Sequence, residues 1–352
     1  MNLVIIGYGG MGGYHAQKLK EYNEGKPIAP ITVIGVYDID KQRELIAQKN
    51  GYKIYSNQQE IWADKNVDAV LIATPNDVHA MYVMAASKAG KNMICEKPIG
   101  MNCLEAEQMY AFAKEANIIF SIHQNRRWDD DFLTIKNIFD NSLIGDVYCI
   151  ESRVMGSNGI PGAWRKEKAH GGGMMLDWGV HLIDQMLQMV KSPIQSLYCE
   201  YSYIYGEEVD DGCNLTVNFE NGIKYRIIIA TDCFRNLPRW QVYGTQGTAT
   251  INDWNLSGGI TRVLIRDDKN LIGIKAGNGF TRTMAPRIGN SIEQIDLPIV
   301  NAEPFAFYKN FGASCLGHTE NIIKPEEVIR VCKVMEAAER SAKQNIVIKD
   351  KL

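Results

Sequence analysis

Two short stretches carry side chains able to do chemistry. In KAHGGGMMLDWGVHLIDQM, residues 168–186, three glycines precede Asp177, and His181 follows four positions later; in CEKP, Lys97 stands directly before a proline. On a helix the four-residue spacing puts Asp177 and His181 on one face, a turn apart. Three chemistries are then open. With Asp184 the pair would supply three ligands to a metal ion. Alternatively, Asp177 caps a helix and His181 is a satisfied, half-buried histidine. Beside a cofactor and a lysine, the same residues form an acid–base set. No distant His or Cys cluster suggests a dedicated cage, so no metal is expected. Lys97, at a strand end and restricted by the following proline, reads alone as a solvated lysine; on a ligand rim it becomes a fixed cation.

The frame for these residues starts at the N-terminus. LVIIGYGGMGGYHAQKLKEY gives an apolar strand, Leu3 to Ile6, then a glycine turn and a helical pattern from about Met11. Gly7, Gly9 and Gly12 form GxGxxG between strand and helix, the context in which this weak motif signifies a dinucleotide site. Gly7 permits the tight turn, Gly9 lets backbone approach a pyrophosphate, and Gly12 lets helix and strand pack. The helix N-terminus offers free N–H groups to the phosphates. ITVIGVYDID then ends in Asp38, where a carboxylate accepts from both ribose hydroxyls and repels a 2′-phosphate. Ile39 follows rather than Arg or Ser, so NAD is expected rather than NADP, with Lys41 and Arg43 nearby. The cofactor is expected along Gly7, Tyr8, Gly9, Gly10, Met11 and Gly12, at Asp38 and Ile39, and at Thr74 and Pro75.

Alternation continues through VDAVLIATP (67–75), a helix over about 77–90, NMICEKP (92–98), a helix over about 102–117 and IIFSIHQ (118–124). Continuous apolar strands between helices predict a doubly wound parallel sheet, with ligands at the carboxyl ends of its strands. After Gln124 the pattern changes. A helix runs to about Asn141, and a strand begins at GDVYCIESRVM. Strand-like runs fill 194–252, with hairpin signals at Asn221–Gly222 and Thr245–Gly247. Helices are predicted near Pro304–Gly317 and over Pro325–Gln344, the latter with proline just inside its start. Irregular loops or short strands are predicted over 253–297.

At 352 residues the chain is long enough for two domains, predicted as 1–124 and 125–352, with the C-terminal helix 325–344 able to pack back on the first. The 45% hydrophobic and 22% charged composition is that of a globular protein, and the absence of a long apolar run predicts no membrane span and a cytoplasmic location. A net charge of −3 with scattered basic residues argues against nucleic acid as a partner. The eight cysteines lie far apart and read as reduced thiols.

GYGGMGGYH, ATPNDVHA, CEKPIG, HQNRRWDDDF, the AWR at Ala163 to Arg165 and GGGMMLDWGVHLID, in this order and spacing, resemble the Gfo/Idh/MocA family of NAD(P)-dependent oxidoreductases over essentially the whole chain. The resemblance implies an α/β protein. Its Rossmann domain would be followed by an α/β domain with a large open mixed, mostly antiparallel sheet, whose face often serves oligomerisation. A homo-oligomer, dimer or tetramer, is therefore expected. The resemblance also implies that Lys97, Asp177 and His181 form the catalytic constellation, and that Asn76, His79, Glu96, Gln124, Trp164 and Arg165 lie around cofactor or pocket.

Beside a nicotinamide the acid–base reading of the opening stretch gains its reason. When the carbinol hydrogen leaves as hydride the hydroxyl proton needs a base, and histidine serves at neutral pH. Lys97 would stabilise developing alkoxide charge, and Asp177 would hold hydroxyls or orient His181. The polar side chains Asn125, Arg127, Trp164, Asp177 and His181 suit a polyhydroxylated substrate: a sugar, a glycoside or a cyclic polyol such as an inositol. Two other outcomes are consistent with the sequence, a redox-assisted glycosidase or epimerase that recycles NAD in place, and a non-catalytic NAD-binding sensor.

Overall fold

The computed structural model describes residues 1–162, 164–265, 273–282, 287 and 289–352. Ala163 of the AWR stretch, and residues 266–272, 283–286 and 288 of the segment predicted as loops or short strands, lie outside the described residues.

Apolar runs without polar alternation build the first sheet. Its strands are β1 (Asn2–Ile6), β2 (Thr32–Tyr37), β3 (Lys53–Ile54), β4 (Ala69–Ile72), β5 (Asn92–Cys95) and β6 (Phe120–Ile122). They lie in the order β3-β2-β1-β4-β5-β6, all parallel. Leu3, Val4, Ile5 and Ile6 are all fully buried, as both faces of a helix-covered sheet require. The connections are α1 (Gly10–Glu24), α2 (Lys41–Lys49), α3 (Gln58–Ala63), α4 (His79–Lys88) and α5 (Cys103–Glu115). Side chains of Asp40, Asn57 and Asn102 cap α2, α3 and α5 at their first free N–H groups. Chain order reverses between β1 and β4, and there the carboxyl ends of the strands leave a crevice.

The second sheet reads differently because several of its strands alternate buried and more exposed side chains. Its members are β7 (Val147–Met155), β8 (Ile194–Ser202), β9 (Gly212–Phe219), β10 (Lys224–Ala230), β11 (Trp240–Gly244), β12 (Gly247–Ile251) and β13 (Gly258–Val263). After a separate two-stranded hairpin, β14 (Ile274–Ala276) with β15 (Phe280–Arg282), comes β16 (Ile292–Ile295), which completes it. The order is β16-β13-β12-β11-β7-β10-β9-β8, antiparallel except where β7 and β10 run together. In β10, Tyr225, Ile227 and Ile229 are buried while Lys224 and Arg226 are exposed, the alternation of a half-buried strand. The turn at Asn221–Gly222 joins β9 to β10, with Gly222 at φ +87°.

The buried face packs on α6 (Asp130–Asp140), α7 (Val180–Met189) and α9 (Pro325–Gln344). Helix α8 (Ala306–Cys315) instead returns to the first core through Phe307, Tyr308 and Phe311. One helix joins the two cores: Val328 and Cys332 of α9 belong to the first, and Val331, Val334 and Met335 to the second. Among the described residues no helix is long and apolar enough to cross a membrane.

Candidate active site

Helix α1 begins at Gly10 with Gly9 as its N-cap; among the described residues no side chain caps it, and no acid stands in its first turn. Its N–H groups and positive dipole end are therefore free for an anion. A Cβ on Gly9 or Gly10 would meet nothing within 4 Å, whereas one on Gly12 would stand 2.0 Å from the Gly7 carbonyl oxygen. Gly9 and Gly10 leave space for a ligand, and Gly12 lets the helix press onto the turn. Gly9→Ala is thus expected to melt like the wild type but to bind dinucleotide more weakly. Gly12→Ala is expected to lose about 1–3 kcal/mol of stability through overpacking. Thermal melts with and without cofactor separate the two effects; undiminished binding by Gly9→Ala would move the pyrophosphate elsewhere.

From this turn a cavity of about 690 Å³ follows the carboxyl ends of β1, β2, β4 and β5. Asp38, Ile39, Asp40 and Arg43 line one end, Gly7, Gly9, Gly10, Met11, Thr74, Pro75 and Asn76 the middle, and Glu96, Lys97, Pro98, Trp164, Arg165 and Asp177 the other end. Asp38 is fixed by backbone N–H groups, Oδ2 accepting from Tyr8 at 2.5 Å and Oδ1 from Asp40 at 2.8 Å. Each oxygen keeps a lone pair for a hydroxyl donor. The glycine turn, the uncapped helix end and the fixed carboxylate fit a dinucleotide laid along this cavity.

At the far end the two stretches meet. Lys97 Nζ donates to both the carbonyl oxygen and Oδ1 of Asp177, each at 2.9 Å, and Arg165 Nε stands 3.2 Å from Oδ2. Burial raises the Asp177 pKa, but the Lys97 and Arg165 charges outweigh it and hold the carboxyl below its usual range. The glycine triplet makes this approach possible. A Cβ on Gly172 would lie 2.4 Å from the Arg165 carbonyl oxygen, and one on Gly173 2.3 Å from Asp210 Oδ1. Asp210 in turn accepts from the Met175 N–H at 2.8 Å. Asp177 does not cap α7. It sits in a π-helical turn, Met175–Gly179, that runs into α7, and among the described residues no side chain caps that helix. Such turns recur where a side chain must be re-aimed at a functional site.

His181, one turn on, is buried, and its Nδ1 has no partner among the described residues. Burial first, then the positive charges of Lys97 and Arg126, push its pKa well below the ordinary histidine value. That direction favours the neutral imidazole at pH 7. Trp178 packs against it, ring centres 5.9 Å apart. Trp178, Trp254 and Arg126 wall a second cavity of about 430 Å³ with Ser157, Asn158 and Thr231. The Arg126 guanidinium lies 4.1 Å from the Trp178 ring centre and 5.4 Å from that of Trp254. This aromatic wall was not anticipated. Trp178 lies three residues before His181 and was within reach of a helical-face argument, but Trp254 carries no local signal.

Residues 1–124 match an oxidoreductase family with an NAD-binding Rossmann fold, and residues 132–250 match the GFO/IDH/MocA C-terminal domain. The chain belongs to the Gfo/Idh/MocA oxidoreductases. It is similar to an NAD-binding protein from Listeria innocua, with 44% identity, a TM-score of 0.94 and 99% of each chain covered. It is 26% identical to the scyllo-inositol 2-dehydrogenase (NADP(+)) of Bacillus subtilis, covering 82% of this chain and 81% of that one. It is 28% identical to the myo-inositol 2-dehydrogenase of Thermotoga maritima, covering 59% of this chain and 60% of that one.

In this Gfo/Idh/MocA oxidoreductase several residues expected at the ligands serve other partners. Arg127, expected at the substrate, is buried, its Nε and Nη2 held by Asp184 at 2.8 and 2.7 Å and its Nη1 by Glu327 at 2.7 Å. That bond set spends its donors on joining α7 to α9. Asp184 gives both oxygens to Arg127, so Asp177, His181 and Asp184 do not converge as a metal set. Among the described residues, side chains close enough to share an ion are His15, Glu96 and His123. His79 is fully buried, with Nδ1 3.0 Å from the Pro98 carbonyl and Nε2 3.1 Å from that of Thr74. It braces two loops of the cavity wall instead of touching the cavity. Gly12 and Tyr8 stand behind the wall, Tyr8 contributing its backbone N–H while its hydroxyl accepts from Asn50 at 3.1 Å. Gln124 is buried, its Oε1 without a partner among the described residues, and Asn125 lies half-buried beyond the cavity.

Proposed function

We propose that this oxidoreductase transfers a hydride between NAD and a secondary hydroxyl of a sugar, glycoside or cyclic polyol. The supporting observation is the contact of Lys97 with Asp177 at the cavity end opposite Asp38, with His181, whose Nδ1 has no partner among the described residues, one turn away. A bound nicotinamide supplies the hydride acceptor. His181, neutral because buried between cations, takes the hydroxyl proton, and Lys97 donates to the oxygen as it gains alkoxide character. Asp177 keeps Lys97 aimed and offers its carboxylate to a neighbouring hydroxyl. The Trp178–Trp254 wall suits the apolar face of a sugar or cyclitol ring. Asp38 favours NAD, since a 2′-phosphate would meet a fixed carboxylate.

The test mixes purified protein with NAD or NADP and a panel of sugars, inositols and aryl glycosides, read by the near-ultraviolet absorbance of reduced nicotinamide. NADH produced with one class of polyol is expected. Aglycone release that requires NAD, without accumulating NADH, would replace this reading by a redox-assisted glycosidase. Higher kcat/KM with NADP would overturn the cofactor preference.

A further inference from the structure

Behind Lys97 lies a buried polar network that the proton transfer leaves unused. His15 of α1, Glu96 at the end of β5 and His123 at the end of β6 are at most 5% exposed. His15 Nε2 and His123 Nδ1 both donate to Glu96 Oε1, at 2.7 and 2.9 Å, and the Tyr308 hydroxyl of α8 stands 2.8 Å from His15 Nδ1. The Lys97 N–H reaches Glu96 Oε2 at 3.2 Å. Burial alone would raise the Glu96 pKa, but the two histidines outweigh it and hold the carboxyl well below its usual range. Burial and the neighbouring His123 both push the His15 pKa down. The network thus maintains an immobile carboxylate on the wall of the dinucleotide cavity. An isolated buried charge is costly, and packing alone could be met by apolar side chains of similar volume.

The location gives the charge a use. Among the described residues lining this end, Lys97 and Arg165 are cations and Asp177 is the remaining acid beside Glu96. Counting only these lining side chains, the end carries one net positive charge without Glu96 and none with it. An oxidised nicotinamide ring is a cation and a reduced one is neutral, so a fixed carboxylate nearby discriminates between them.

We infer that Glu96, held by His15, His123 and Tyr308, is the counter-charge of the oxidised nicotinamide and sets the relative affinity of this protein for the oxidised and reduced cofactor. The inference rests on the proposed function for its assignment of the nicotinamide end. Glu96→Gln retains the shape and an amide oxygen able to accept from both histidines, and removes the charge. Dissociation constants of NAD⁺ by calorimetry and of NADH by fluorescence, measured without substrate for the wild type and the variant, give the readout. The ratio Kd(NAD⁺)/Kd(NADH) is expected to rise about tenfold, a difference of about 1.4 kcal/mol, mainly through weaker NAD⁺ binding. Equal weakening of both forms, with the ratio unchanged, would reduce Glu96 to a structural support and overturn the inference while leaving the proposed function standing. A wild type that binds neither form would overturn both. Should Glu96→Gln not fold, the double variant His15→Gln/Glu96→Gln, an uncharged hydrogen-bonding pair, is measured the same way and carries the same expectation.

Discussion

A His181→Ala variant is expected to bind NAD as the wild type does and to turn over about two to four orders of magnitude more slowly, the usual contribution of a positioned acid–base group. The pH profile makes the assignment sharper. His181 acts as a base only when neutral, and protonation removes it. Burial and the charges of Lys97 and Arg126 depress its pKa, so the neutral form persists to lower pH than in a free histidine. Wild-type kcat/KM for alcohol oxidation should therefore stay level through neutrality and decline only below about pH 6.5, the ordinary histidine value. The variant should lack that decline. Undiminished turnover in His181→Ala, or the same acid limb in both proteins, would place the proton acceptor elsewhere.

Lys97→Met carries the second large effect. Its expected loss is about two to three orders of magnitude in turnover, the range for removing one donor to a developing oxyanion. It also strips Asp177 of two hydrogen bonds in a site where both side chains are mostly covered, their exposures being 14% and 13%. Stability should fall with activity, because a buried carboxylate is left facing Arg165 alone. Adding Asp177→Asn separates the two roles: the double variant should recover much of the melting temperature and none of the turnover. Recovery of turnover would mean that Lys97 serves only to neutralise Asp177.

Gly7, Gly9 and Gly12 were legible because a strand, a turn and a helix surround them within 24 residues, and their roles follow from backbone geometry. Asp38 was legible as the acid at the end of the next strand. The continuous apolar runs of β1 and β4 announced a sheet covered on both faces, and the hairpin glycine at 222 announced an antiparallel turn. His181 and Asp177 could be paired by helical spacing, yet the spacing did not foretell the π-helical turn that carries Asp177. Arg127 looked like a substrate contact because arginine in a polar segment usually is free; its partners Asp184 and Glu327 lie 57 and 200 residues away. No local pattern encodes such a pairing.

By itself the sequence determined the local elements, the glycine turn between β1 and α1, and the chemical types available at the strand ends, since each follows from short-range periodicity and backbone freedom. Only the tertiary structure decided which of those side chains face the cavity. It joined Lys97 to Asp177 across 80 residues, withdrew Arg127 and His79 into supporting bonds, and enclosed Glu96 between His15 and His123. The reason is physical: burial and charge pairing depend on distances through space, which sequence separation does not fix.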